Sequence, residues 1–110
     1  MPNNIDTTTP QAPAVIALDL RLVVQKPFLI AFWTAWLPSR DIRIPSCTWW
    51  RGKDGAEYVK LPETSWTTAH GETRYRRVVE FGSSRSEKWF AAEGLRAVRA
   101  LHAQQGNASG

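Results

Sequence analysis

Apolar and polar residues alternate along most of this chain, and the period turns helical only near its end. From Val15 to Val24, Leu18, Leu20 and Leu22 fall on one side with Asp19 and Arg21 opposite, the pattern of a half-buried strand. Gln25-Lys26-Pro27 breaks it. Phe28 to Leu37 is apolar on both faces, and its aromatic and β-branched content favours a strand over a helix. Such a strand is expected to be central and covered twice, by a helix on one face and by a second subunit or a ligand on the other. Pro38 to Asp41 reads as a turn. Alternation resumes at Ile42-Arg43-Ile44, and Pro45 inside this strand predicts an edge or a bulge, since proline has no N–H for a ladder.

The stretch from Ile42 to Phe81 organises the rest. Asp54-Gly55 predicts a hairpin with a two-residue primed turn, which needs positive φ at both positions. After it Glu57, Val59 and Leu61 share one face and Tyr58 and Lys60 the other, and Pro62 ends the strand. Glu63 to Glu72 reads as a loop leading into a strand from Thr73 to Phe81. Antiparallel pairing of that strand with the one before it predicts a common face of Tyr58, Lys60, Arg74 and Arg76. Ser84 with Glu87 reads as a capping box opening a helix, along which Phe90, Ala91, Gly94, Leu95, Val98 and Leu101 recur at helical spacing. Gly94 in its interior marks close approach to the sheet, and Gly106 is its expected end. The fold class is therefore α+β: an antiparallel sheet of four to five strands followed by one C-terminal helix packed on one face.

Composition adds limits. At 110 residues the chain holds one domain, read as 14–103 between disordered tails at 1–13 and 104–110. The single cysteine, Cys47, leaves no internal disulfide and fits a reducing compartment. There is no secretory signal pattern, and the longest apolar run is too short to span a membrane, so a cytoplasmic protein without a membrane partner is expected. Two scattered His and one Cys give no zinc spacing. His70 stands near Glu72, but no nucleophile, metal cluster or phosphate loop accompanies it. His102 suits a helix C-terminus. The expectation is no enzyme, no catalytic or metal-binding residues, no cofactor and no small-molecule substrate.

The charge is +4, from 14 basic and 10 acidic residues, which leans toward polyanions, and six Trp are a high count for this length. The adjacent Trp49 and Trp50 point to opposite faces of a regular strand, one toward the core and the other toward a dimer interface or a nucleobase. Arg74 and Arg76 share a face and Arg77 takes the other, while Arg51, Lys53 and Lys60 extend the basic patch at the hairpin. The same arginines also suit a solvated face paired with Glu57, Glu72 and Glu80. These residues predict a small dimeric nucleic-acid-binding protein that prefers single strands, single-stranded DNA above all. Phosphates meet Lys60, Arg74 and Arg76, and bases stack on Tyr58 and one tryptophan of the pair. The alternative is a Trp-rich protein-interaction module, since Trp, Tyr and Arg are enriched at interface hot spots.

Ile42, Ile44, Gly55, Tyr58, Val59, Leu61, Pro62, Gly71, Glu72 and Val78 carry a family resemblance over the middle half of the chain. In apolar spacing and glycine placement this stretch resembles the septation protein family, also called stage V sporulation protein G. Small proteins of bacteria and their phages have a similar layout, with a Phe at the position of Phe81. The resemblance implies a small dimer that binds nucleic acid. Where that family follows its proline with a Ser-Lys-Arg type of segment, this chain has Glu63-Thr64-Ser65, so a basic contact there does not carry over. Trp49-Trp50 has no counterpart in the family pattern. The order of strands then helix is also similar to the single-stranded DNA binders of the transcriptional coactivator and Whirly type, which bind DNA across paired sheets.

Overall fold

The computed structural model describes residues 13–109, and all of the expected N-terminal tail except Pro13 lies outside them. Four strands, β1 (Ile16–Leu22), β2 (Leu29–Leu37), β3 (Ile42–Arg51) and β4 (Glu57–Lys60), form an antiparallel sheet in chain order. A second hairpin, β5 (Glu63–Thr67) and β6 (Thr73–Arg77), forms a separate two-stranded ribbon. One helix, α1 (Ser84–Ser109), packs on the sheet against β1 and β4. The α+β expectation of an antiparallel sheet with a C-terminal helix on one face is what the chain forms.

The core lies between α1 and one face of the sheet. Ala31, Trp33, Ala35 and Leu37 of β2 supply its centre, every second residue of a strand whose other face lacks a helix. Trp33 stacks on Phe90 with ring centroids 6.1 Å apart. Gly94 sits where the helix comes nearest: a Cβ there would stand 3.0 Å from Val59 Cγ2 and 3.3 Å from the Trp33 ring. The close approach expected from its place in the helical pattern is thus present. The buried Trp33 Nε1–H finds no acceptor among the described residues.

Burial alternates strictly along β2, which carries one extra residue against β3 between Leu29 and Ala31, and farther along both of its neighbours slip by one residue. In β3 the register passes from Cys47 opposite Trp33 to Ile44 opposite Ala35, so the core positions change from Cys47 and Trp49 to Ile44 across a bulge at Pro45-Ser46. This is the irregularity that Pro45 announces. In β1, Leu18 faces Thr34 and Arg21 faces Phe32. Val15 and Ala17 are the buried positions before that slip and Leu20 packs on the core after it, while Leu22 is exposed. The single side expected for Leu18, Leu20 and Leu22 is therefore split by a bulge that no proline or glycine signals.

Both hairpin turns are built alike. Gly52 N–H donates to Ala56 O (2.8 Å) and Gly55 N–H to Gly52 O (3.0 Å), with Gly55 at φ +87°. Thr68 N–H donates to Glu72 O (2.8 Å) and Gly71 N–H to Thr68 O (3.0 Å), with Gly71 at φ +85°. Only the glycine of each turn is left-handed, so the two-residue primed turn expected at Asp54-Gly55 is replaced by a longer loop whose last corner is glycine. Asp54 instead accepts the Ala56 N–H with its carboxylate (3.0 Å).

The second turn overturns one pairing. Glu63–Thr67, expected as loop, is a strand, and it takes Thr73–Arg77 as its partner, so that segment does not pair with β4. The strand expected to Phe81 stops at Arg77. At the helix start the cap is Ser83, whose Oγ accepts the Ser86 N–H (3.2 Å), and the Glu87 side chain pairs with Arg77 instead of closing a box with Ser84. The helix continues past Gly106 to Ser109, so its expected end and the tail from 104 are displaced.

Candidate nucleic-acid interface

The helix-free face of the four-stranded sheet is the part of the molecule where rings and cations alternate. The ladder registers line up one row across all four strands: Arg21 opposite Phe32, Phe32 opposite Thr48, and Thr48 opposite Lys60. Beside this row Trp50 lies opposite Tyr58. Farther along, Trp36 lies opposite Arg43. Each belongs here because at least one of its chain neighbours packs in the core, and side chains change face at every step.

The geometry keeps the rings presented. Phe32 is 44% exposed and Tyr58 42%, large values for aromatic side chains on a sheet. Trp50 is half-buried, and its Nε1–H donates to Thr48 Oγ1 (2.7 Å), which holds the indole against the sheet. The Lys60 ammonium lies 5.4 Å from the Trp50 ring centroid and the Arg43 guanidinium 5.2 Å from that of Trp36, both cation–π distances. Lys60 also stands 3.7 Å from Glu63. On this face the basic heads lie over rings.

The residues singled out from sequence divide between this face and other places. Trp50, Tyr58 and Lys60 are on it. Trp49 is only 3% exposed and belongs to the core, where its ring meets the edge of His102 at a centroid distance of 5.6 Å. His102 thus packs within a helix that runs on to Ser109 instead of marking its end. Arg51 lies on the helix side, tied to Glu57 at 2.9 Å, so it does not extend the basic patch. Lys53 is exposed in the first hairpin turn.

Arg74 and Arg76 lie on the β5–β6 ribbon opposite Trp66 and Thr64, so they share no ladder with Tyr58 and Lys60. The expected four-residue sheet face is therefore two surfaces. Arg77 takes the other ribbon face, which turns toward the helix start through its pair with Glu87. Trp66, Thr64, Arg74 and Arg76 share the ribbon face opposite that of Arg77 and Glu63. Arg74 stands 3.7 Å from Glu72. Trp66 is 46% exposed.

Arg21, Phe32, Trp36 and Arg43 complete the face and escape the sequence reading. Arg43 and Trp36 had a signal, since each sits at an alternating position beside a core residue. Arg21 had one too, since alternation sets it opposite Leu20, which packs on the core.

The helix side has its own electrostatic centre at Glu57. It accepts hydrogen bonds from Trp49 Nε1 (3.2 Å), Arg99 Nε (3.1 Å) and Arg51. Burial pushes the carboxyl pKa up, but the hydrogen bonds from Arg51, Arg99 and Trp49 and the charge of Arg99 outweigh it, so the group titrates below its ordinary range. Burial holds the Cys47 thiol at about 12, so it stays protonated and behaves as a small apolar core residue. Among the described residues no three His, Cys, Asp or Glu gather as a metal site, and no helix is long and apolar enough to cross a membrane. Compared with protein-family models, curated proteins and solved structures, the chain matches none.

Proposed function

We propose that the protein binds single-stranded nucleic acid, with single-stranded DNA as the favoured form, on the helix-free face of its sheet and without a chemical step. The observation that carries this reading is the row Arg21–Phe32–Thr48–Lys60 with the Trp50–Tyr58 pair beside it. A single strand offers unstacked bases and phosphates together, and here exposed rings alternate with cations across the sheet. A base stacked on an aromatic ring contributes about 1–3 kcal/mol whatever its identity. The ribbon face of Trp66, Arg74 and Arg76 is a second surface of the same composition and suits a further stretch of the bound strand.

The test is a titration of labelled single-stranded and duplex DNA at two salt concentrations. The single strand should bind more tightly, with emission of Trp50 changing on binding, and affinity should fall steeply with salt. Lys60→Ala should weaken all sequences alike and lower the salt slope by about 1. Unchanged anisotropy of a labelled single strand at low salt and micromolar protein would end the reading.

A second reading, burial of a protein partner, is favoured by one feature. A cleft of about 580 Å³ runs between Leu37, Ile42 and Ile44 on one side and Pro62, Val78 and Phe81 on the other, and Ile42 and Val78 are exposed in it. Its volume falls in the range of ligand pockets and its lining suits an apolar side chain. A second copy is the simplest partner, in keeping with the homodimer that the apolar content of β2 suggests. Sedimentation at micromolar concentration should then give about twice the chain mass at low and high salt alike, since apolar burial is insensitive to salt where phosphate binding is not.

A further inference from the structure

Two bulges meet across β2 at one level of the sheet. In β1, three steps from Leu18 to Arg21 span the two steps from Thr34 to Phe32. In β3, three steps from Ile44 to Cys47 span the two from Ala35 to Trp33. Each extra residue includes a side chain in left-handed backbone, Asp19 at φ +53° and Ser46 at φ +62°. That conformation crowds a Cβ against the following carbonyl, and of these two residues only Asp has a recognised tolerance for it. Bulges bend their strands and re-aim side chains. Here the two bends leave a hollow of about 250 Å³ lined by Asp19, Arg21, Phe32, Trp33, Thr34 and Ser46, next to the row of rings and cations.

Four kinds of side-chain group face this hollow. Asp19 offers a carboxylate, Arg21 a guanidinium, Thr34 and Ser46 hydroxyls, and Phe32 an exposed ring. The space holds one planar heterocycle. An ionised carboxylate only accepts hydrogen bonds, so it selects for a donor, while the hydroxyls donate or accept as needed.

We propose that this hollow takes one base of the bound strand and selects bases that carry an exocyclic amine, cytosine over thymine among the pyrimidines. The inference rests on the reading that the helix-free face binds single strands. Phe32 supplies the stacking surface, Arg21 meets the adjoining phosphate, and Asp19 accepts from the amine. Thymine and uracil present carbonyl oxygens where cytosine has its amine, and their ring N–H lies between two carbonyls. Either base leaves the carboxylate facing an acceptor, and a polar group left unpaired in a site costs more than a made hydrogen bond gains.

Binding of labelled oligodeoxycytidine and oligothymidine of equal length to the full chain, at one salt concentration, tests this. Both are pyrimidine strands with the same phosphate charge, so stacking strength and counterion release largely cancel. The cytidine strand should bind about tenfold more tightly, the scale of one hydrogen bond to a charged group. Asp19→Gly keeps the left-handed backbone at no steric cost while removing the carboxylate, so it should retain the fold and bring the two strands to equal affinity. Equal affinities in the wild-type protein would overturn the selection and leave single-strand binding standing. A preference that survives in Asp19→Gly, with an unchanged circular dichroism spectrum, would also overturn it. If neither strand binds at low salt, the single-strand reading fails and this inference fails with it.

Discussion

Trp49 and Trp50 are neighbours in the chain and opposites in the fold. Trp49 lies under the helix, its N–H held by Glu57. Trp50 lies on the other side of the same sheet, its N–H held by the nearby Thr48 and its ring beneath Lys60. The two sides of one sheet use the same residue types differently. On the helix side the basic groups Arg51 and Arg99 are matched by the Glu57 carboxylate, and on the helix-free side Lys60 and Arg43 lie over rings. A ring with a cation and no helix above it is available to an incoming ligand in a way that a ring in a core is not.

The largest expected effect separates the two tryptophans. Trp49→Ala removes a buried ring and should lower stability by about 3–5 kcal/mol, read as a shift in the denaturation midpoint. Trp50→Ala should cost much less in stability and instead weaken single-strand binding while leaving its salt slope nearly unchanged, since the ring carries no charge. Equal losses of stability in the two variants would break the distinction between the faces.

A smaller effect tests how tightly the helix side is filled. Alanine at Gly94 gains helix propensity of about 1 kcal/mol, but its Cβ would crowd Val59 and Trp33. Overpacking costs about 1–3 kcal/mol, and both neighbours are buried core side chains, so Gly94→Ala should lower the Tm. An increase would mean that the helix can lift from the sheet without loss.

The smallest effect is one of pH. The Glu57 pKa is lower in the fold than in the unfolded chain, so its contribution to stability is present above the ordinary carboxylate range and is lost as pH falls through the depressed value. Glu57→Gln should therefore be less stable than the wild-type protein near neutrality, and the two should converge in acid. A difference independent of pH would show that shape at this position matters and charge does not.

Those elements with one wet and one dry side were legible in the sequence. The alternation from Glu57 to Leu61, the helical period from Phe90 to Leu101 and the close approach at Gly94 all follow from burial on one side, which writes a period into the residues. The β5–β6 ribbon was not legible as a pair because every residue of both strands is exposed, so no hydrophobic period marks Glu63–Thr67. Its turn was equally quiet: Ala69-His70-Gly71 lacks the Asp or Asn that makes the first hairpin conspicuous, yet one glycine suffices. Half of the candidate face was missed for a different reason. Which residues of different strands stand together depends on register, which alternation within one strand does not give, and the β1 bulge adds a slip at an aspartate that no residue announces.

The two bulges also bear on how this sheet tolerates changes of length. Removing a residue from a regular strand turns every side chain beyond it to the wrong face. At Asp19 or Ser46 the reverse holds, because each strand there already carries one residue too many for its partner. Loss of either would leave Val15, Ala17 and Leu20, or Ile44, Cys47 and Trp49, in unbroken alternation on the helix side. The shortened chains keep a complete core and lose only the hollow between the strands. Each bulge is therefore a place where the sheet can lose one residue without turning its core side chains to the other face.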